Sequence, residues 1–224
     1  MTYILYGLPD FANLAVHIVL EDITAPYRVV FLDDIDRLKT PAHLARHPLG
    51  LVPAMETPDG TLFETAAILL WLADRHGLAP APQDADRAAF LSWLFYTSNT
   101  LHTAAMDLIH PYRPAGDDHS AIVAAEARAR LVARLAPLEA MAATRPRWMS
   151  PDAPGIMGPY VGMLLRWLRA FPWDPAHAFA SSDYPALHAL VSATEMRPAT
   201  QKVGAAHGLS GRFMTAPDTP ADQA

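Results

Sequence analysis

The chain has no cysteine among its 224 residues. Disulfides, thiolate metal ligands and thiol catalysis by the protein itself are therefore excluded, and any sulfur nucleophile must arrive with a ligand. Long apolar runs are also lacking: the longest, Ala66 to Ala73, falls far short of the roughly 20 residues that cross a bilayer. There is no Lys/Arg tract. With 17 Lys and Arg against 23 Asp and Glu, the formal net charge is -6, which gives no broad attraction to a phosphate backbone and argues against a nucleic-acid partner. The N-terminal stretch MTYILYGLPDFANLAVHIVL has no basic start and carries Pro9, Asp10 and Asn13 where a secretion signal keeps an apolar segment. A cytoplasmic protein without a membrane anchor is expected.

Apolar material is plentiful at 51% hydrophobic residues, enough for a sizeable core in one large domain or two small ones. Residues 2–6, TYILY, form a β-prone run that Gly7, Pro9 and Asp10 interrupt. A helical pattern follows over 13–22, with Leu14 and Ile18 four apart, and YRVVFL at 27–32 reads as a second strand. Residues 38–46 suggest a short irregular helix. Strand-like pieces at 52–57 and 61–63 flank Pro58-Asp59-Gly60, a turn in which Pro fixes φ and Gly tolerates positive φ. From Thr65 the spacing of Ile68, Leu69 and Leu72 is helical until His76-Gly77.

The order is thus βαβ, a short helix, then ββα. Residues 79–83, APAPQ, read as a linker because two prolines in close succession stop a helix. Beyond it the pattern is helical, over about 84–110, 120–143, 160–170 and 185–195. The division expected is 1–78, linker 79–83, a helical domain 84–213, and a frayed tail 214–224 whose end is polar and Pro-rich.

Two dipeptides suggest a binding function. Val52-Pro53 stands at the start of a strand, where a proline removes a ladder donor; it fits either a plain edge strand or a cis bond that turns the backbone of Val52 outward for an extended ligand. Glu64-Thr65 opens a helix, where free N–H groups and the dipole favour a carboxylate, and where a Thr hydroxyl either caps the helix or donates to a ligand.

Several stretches together resemble the cytosolic glutathione transferase family: LYGLP, HPLGLVPAM, DGTLFETAAILLWLADR, WLFYTSNTLH, YVGMLLRW, and YPAL with EMRPA near the end. The local flavour, Pro9 to His17 and the helix bearing His102, is most similar to the bacterial, beta-like branch. The resemblance implies a four-stranded, mixed-sheet thioredoxin-like domain followed by an all-α bundle, usually paired as a homodimer. It further implies that Val52 beside Pro53 pairs through its backbone with the cysteinyl part of glutathione, that Glu64 and Thr65 hold the γ-glutamyl end, and that no metal is required.

The chain departs from the family pattern at Phe11-Ala12-Asn13, where the bacterial relatives would have cysteine and serine at the last two positions. Covalent mixed-disulfide chemistry is thereby excluded. The Asn13 amide is one candidate to hydrogen-bond a thiolate, an N-cap role being the alternative; Tyr6 is another, against a role in the core. Leu51 stands where relatives carry a polar contact to the glutathione carboxylate. Phe95, Asn99, His102 and Met106, spaced four, three and four apart, make a helical face that could line a substrate cleft with Phe11, although a lone helical histidine also has structural uses. Side-chain caps are missing at Gly155 to Pro159. The function expected is transfer of glutathione to a small hydrophobic electrophile. The alternatives are a binding or interaction module, favoured by the losses at Ala12, Leu51 and Thr103, and a glutathione-dependent isomerase or dehalogenase.

Overall fold

The computed structural model describes residues 2–218. Strand β1 (Tyr3–Gly7) pairs in parallel with β2 (Tyr27–Phe31), in register from Tyr3 opposite Tyr27 to Gly7 opposite Phe31. Helix α1 (Asn13–Asp22) makes the crossover between them. After the short α2 (Pro41–Leu44), β3 (Ala54–Thr57) returns antiparallel to β1 and forms a hairpin with β4 (Gly60–Phe63). The sheet order is β2-β1-β3-β4. Gly60 belongs to β4 and pairs with Thr57, so the turn is Pro58-Asp59, pinned by the Asp59 N–H donating to the Thr57 hydroxyl. Helix α3 (Thr65–His76) ends on Gly77 in the left-handed conformation, whose freedom from a Cβ permits the cap.

The second half is helical. α4 (Arg87–Tyr96) runs through a π-helical segment, Thr97–His102, into α5 (Thr103–Ile109), followed by the short α6 (Tyr112–Ala115). α7 (Ser120–Ala143), α8 (Met157–Ala170), α9 (Pro185–Glu195) and α10 (Pro198–Ala206) complete it, and α10 has no counterpart in the sequence expectation. A thioredoxin-like N-terminal domain and a helical C-terminal domain are the two parts of the fold.

Why α1 carries so little polar surface follows from its place. It packs against α3 beside the sheet and also against α8 and α10, so Asn13 through Leu20 are all buried. α8 is buried along nearly its whole length. It starts without a side-chain cap, as expected, and Gly158 at its first turn meets Thr194 of α9 so closely that a Cβ would collide with the hydroxyl. Close helix packing accounts for the glycine there. Phe213 and Met214 are buried as well, with the Met214 and Thr215 N–H groups donating to the Glu195 carboxylate. Packed chain therefore reaches past the start of the tail expected at 214; residues 219–224 lie outside the described residues.

Candidate functional site

A cleft of about 720 Å³ opens between the C-terminal edge of β1, the start of α3 and the α4–α5 helix. The loop after β1 forms one wall through Pro9, Asp10, Phe11 and Ala12. Asp10 has φ of 59°, a conformation that is strained for an L-residue, and the helical domain holds it at every polar atom. Its N–H donates to His207 Nδ1 at 3.0 Å and its carbonyl accepts from Trp167 Nε1 at 3.2 Å. Its carboxylate takes both Nε and Nη2 of Arg166, at 2.8 and 2.6 Å. A loop so fastened presents Phe11 and the first turn of α1 in one geometry.

The candidate activating side chains do not face this cleft. Asn13 is 0% exposed, and its Oδ1 accepts from the Leu8 N–H at 3.1 Å while its Nδ2 is sealed from solvent with no partner among the described residues. It caps nothing in α1; it fastens the loop from beneath, so close to Gly7 that a Cβ on Gly7 would collide with the carboxamide. Tyr6 lies on the other face of the sheet from Leu5, because side chains alternate along β1. Its hydroxyl donates to Glu56 at 3.0 Å, and the Arg46 guanidinium lies 4.2 Å from its ring centre. Burial and the Glu56 carboxylate push its phenol above the usual range. Neither Asn13 nor Tyr6, the two candidates for a thiol contact, lines the cleft.

The four residues expected to hold the ligand converge on the cleft. Val52, Pro53, Glu64 and Thr65 all line the cleft, and the Val52-Pro53 bond is cis. Preceding them, Gly50 at φ of 56° passes so near the Leu38 carbonyl that any side chain would clash. Lys39 Nζ donates to the Leu49 carbonyl at 2.7 Å, and the His43 imidazole donates to the Leu51 carbonyl at 2.8 Å. These bonds set the path of residues 49–53 up to the cis bond. Glu64 precedes α3 with φ of 72° and ψ of 121°, a region L-residues rarely enter, which presents its backbone and carboxylate at the helix N-terminus. Thr65 follows as the first, buried residue of the helix.

The helical wall differs from the expected face. Asn99 and His102 line the cleft with Met106, but Phe95 does not and is 44% exposed elsewhere. Ser98 and Thr103 join Asn99 and His102 on the cleft side, and the segment that carries most of them, Thr97–His102, is π-helical. His102 Nδ1 is hydrogen-bonded to the Tyr160 hydroxyl at 3.0 Å, and the ring lies 5.7 Å from Trp167. Burial lowers the His102 pKa to about 4 and raises that of Tyr160, so the pair is neutral at ordinary pH. Apolar lips, Phe11 at 41% exposure and Leu51 at 48% with Ile35 and Phe171, complete the opening.

Sequence reasoning missed Asp10, Ser98, Tyr160 and Trp167. The latter two sit in the quoted YVGMLLRW stretch, but their spacing gives only a helix face, and the Asp10–Arg166 contact spans far too much sequence to be read from a pattern.

A family model described as the glutathione S-transferase N-terminal domain matches residues 1–74. A sphingomonad glutathione S-transferase solved complexed with glutathione is 31% identical, with a TM-score of 0.74 over 92% of this chain and 100% of that one. The beta-class glutathione S-transferase of Sphingomonas chungbukensis is 27% identical, with a TM-score of 0.72 over 92% and 99%. Among curated relatives, glutathione S-transferase GstA of Escherichia coli O157:H7 is 34% identical over 117 residues, 49% of this chain and 58% of that protein. The chain spans about half the length of the curated relatives it matches. Sheet topology, cleft position and near-complete structural correspondence at this identity lead to one conclusion: the chain belongs to the glutathione S-transferase family, alongside its bacterial members.

Proposed function

We propose that the protein binds glutathione in the cleft and transfers it to a small hydrophobic electrophile. The observation that carries this reading is the convergence of Val52, Glu64 and Thr65 with Phe11, Asn99 and His102, from separate stretches of sequence, on one cavity. Val52 pairs with the ligand backbone as an added strand would. The Glu64 carboxylate meets the γ-glutamyl ammonium, and the N–H groups opening α3, with the Thr65 hydroxyl, meet its carboxylate.

The thiolate is stabilised by the N-terminus of α1 beyond Phe11 and Ala12, where the helix dipole favours negative charge. The thiolate attacks the electrophilic carbon, the new C–S bond forms as the leaving group departs with its electron pair, and the thiol proton goes to solvent. The sulfur is the ligand's own, as a cysteine-free chain demands. We read the protein as a cytoplasmic homodimer, with exposed apolar residues such as Phe63 and Phe95 suited to cover by a second copy. The division at 79–83 is retained as the proposed domain boundary.

Spectral titration of bound glutathione is the test. The expected result is a thiol pKa below the ~8.5 of a free thiol, with turnover of activated aryl halides. A second reading, ligand holding without chemistry, is favoured by the lack of a hydroxyl or thiol at Phe11-Ala12-Asn13. An unshifted pKa with no turnover across an electrophile panel would establish it instead.

A further inference from the structure

Among the described residues lining the cleft, Arg113 is the one permanent cation. It stands on α6, and among the described residues no carboxylate lies within salt-bridge distance of it. The other arginine close to the cleft loop, Arg166, is locked onto Asp10. Beside Arg113, His110 is held toward its neutral form by burial and by the Arg113 charge, so the two do not act as a doubled cation at neutral pH. The surroundings are apolar: Met106, Ile109 and Phe171 share the lining. Arg113 is exposed, and a guanidinium without a carboxylate partner at the rim of an apolar groove can fork a ligand carboxylate through two parallel N–H bonds.

Resting on the reading of the cleft as a glutathione-dependent site, we infer that its second substrate is an electrophile carrying a carboxylate or comparable anionic group, bound with its apolar body against Phe11, Ile35 and Phe171 and its charge on Arg113. Glutathione's γ-glutamyl end is assigned to Glu64 and Thr65; its glycyl carboxylate is the one competing anion for Arg113, and the glutathione arm of the test separates the two.

The test uses matched aromatic acids and amides on the full chain. Calorimetry without glutathione compares a dinitrobenzoate with the uncharged dinitrobenzamide. The acid should bind about tenfold more tightly, the difference expected of a charge-assisted pair in place of a neutral one. Arg113→Gln should bring the two affinities together, Arg113→Lys should keep part of the preference, and added salt should shrink it. Thermal melting of both variants verifies that they fold. In the presence of glutathione, the matching chlorodinitro compounds read the same preference in kcat/KM, as thiolate adds to the chlorine-bearing carbon and chloride leaves.

Equal affinities in the unmodified protein, or a ratio untouched by Arg113→Gln, overturn the inference. So does an Arg113→Gln variant that loses glutathione affinity while its acid-to-amide ratio stays put, since Arg113 would then hold glutathione's own carboxylate. Failure of the unmodified protein to bind glutathione removes the proposed function, and the arm without glutathione still decides the role of Arg113.

Discussion

The Asn13 carboxamide faces the backbone of its own loop, and that orientation decides what its loss should do. Asn13→Ala leaves the buried Leu8 N–H without a partner, at a cost of about 1–3 kcal/mol. The thiol pKa of bound glutathione should stay where it was, because the amide never reached the cleft. Denaturant unfolding and spectral titration of the same variant check both halves, and a stable variant with a raised thiol pKa would reinstate Asn13 as the activator. Gly7→Ala should be at least as damaging, since its methyl group would occupy the space of that carboxamide. Residue identity was legible at this site, and side-chain direction was not. A sequence shows that an amide opens a helix, but whether it turns outward to a ligand or back under the loop depends on how closely Gly7 lets it approach. Val52, Glu64 and Thr65 were easier, because a strand start and a helix start each fix where the backbone polar groups point.

Elements translated from pattern to structure unevenly. α1, expected over 13–22, and α3, expected from Thr65 to His76, match their observed bounds, since an interrupted strand before one and a Gly cap after the other mark them locally. The long helix expected over 84–110 is instead α4, a π segment and α5, and nothing in 3.6-residue periodicity announces a single wider turn. Phe95 falls on the same helical period as Asn99, His102 and Met106 and yet does not line the cleft, because periodicity fixes a face and not how far along it the cleft extends. The contact that joins the two halves at the site was equally hidden. Arg166 on α8 and Asp10 in the β1–α1 loop are both largely buried, and Arg166 also donates to the Phe213 carbonyl at 2.8 Å. Arg166→Gln strands the Asp10 carboxylate and should destabilise the fold by about 3–5 kcal/mol. Glutathione affinity should fall with it as the loop at 9–12 loosens. Urea titration and calorimetry measure the two effects, and wild-type stability in the variant would refute the coupling.

For the whole molecule, stability should depend on pH through three histidines kept neutral by the fold. Burial lowers His102, His17 and His207 to about 4 from a reference of 6.5, helped at His17 by the neighbouring His207 and at His207 by Arg166. Since the Asp10 N–H must donate to His207 Nδ1, the neutral His207 ring donates from Nε2 to His17 Nδ1, and His17 in turn donates to the Tyr27 hydroxyl, which donates to Glu21. A proton added to His17 Nδ1 or His207 Nδ1 breaks that chain. The unfolded state binds more protons between pH 6.5 and 4, so stability is full above 6.5 and is lost as pH falls toward 4, by up to about 1.4 kcal/mol per pH unit for each histidine. Urea unfolding across that range should show the decline; a flat profile would contradict it. The βαβ–ββα order and the helical second half were legible because each rests on local periodicity, whereas the histidine chain, which links α1 to the end of α10, depends on packing alone. Calorimetric titration of glutathione into the unmodified protein and into Glu64→Gln tests whether the cleft is a glutathione site. Saturable binding that weakens about tenfold in the variant, as loss of a charge-assisted contact requires, is the predicted result; no saturable heat at millimolar glutathione, or equal affinity in the two proteins, would contradict it.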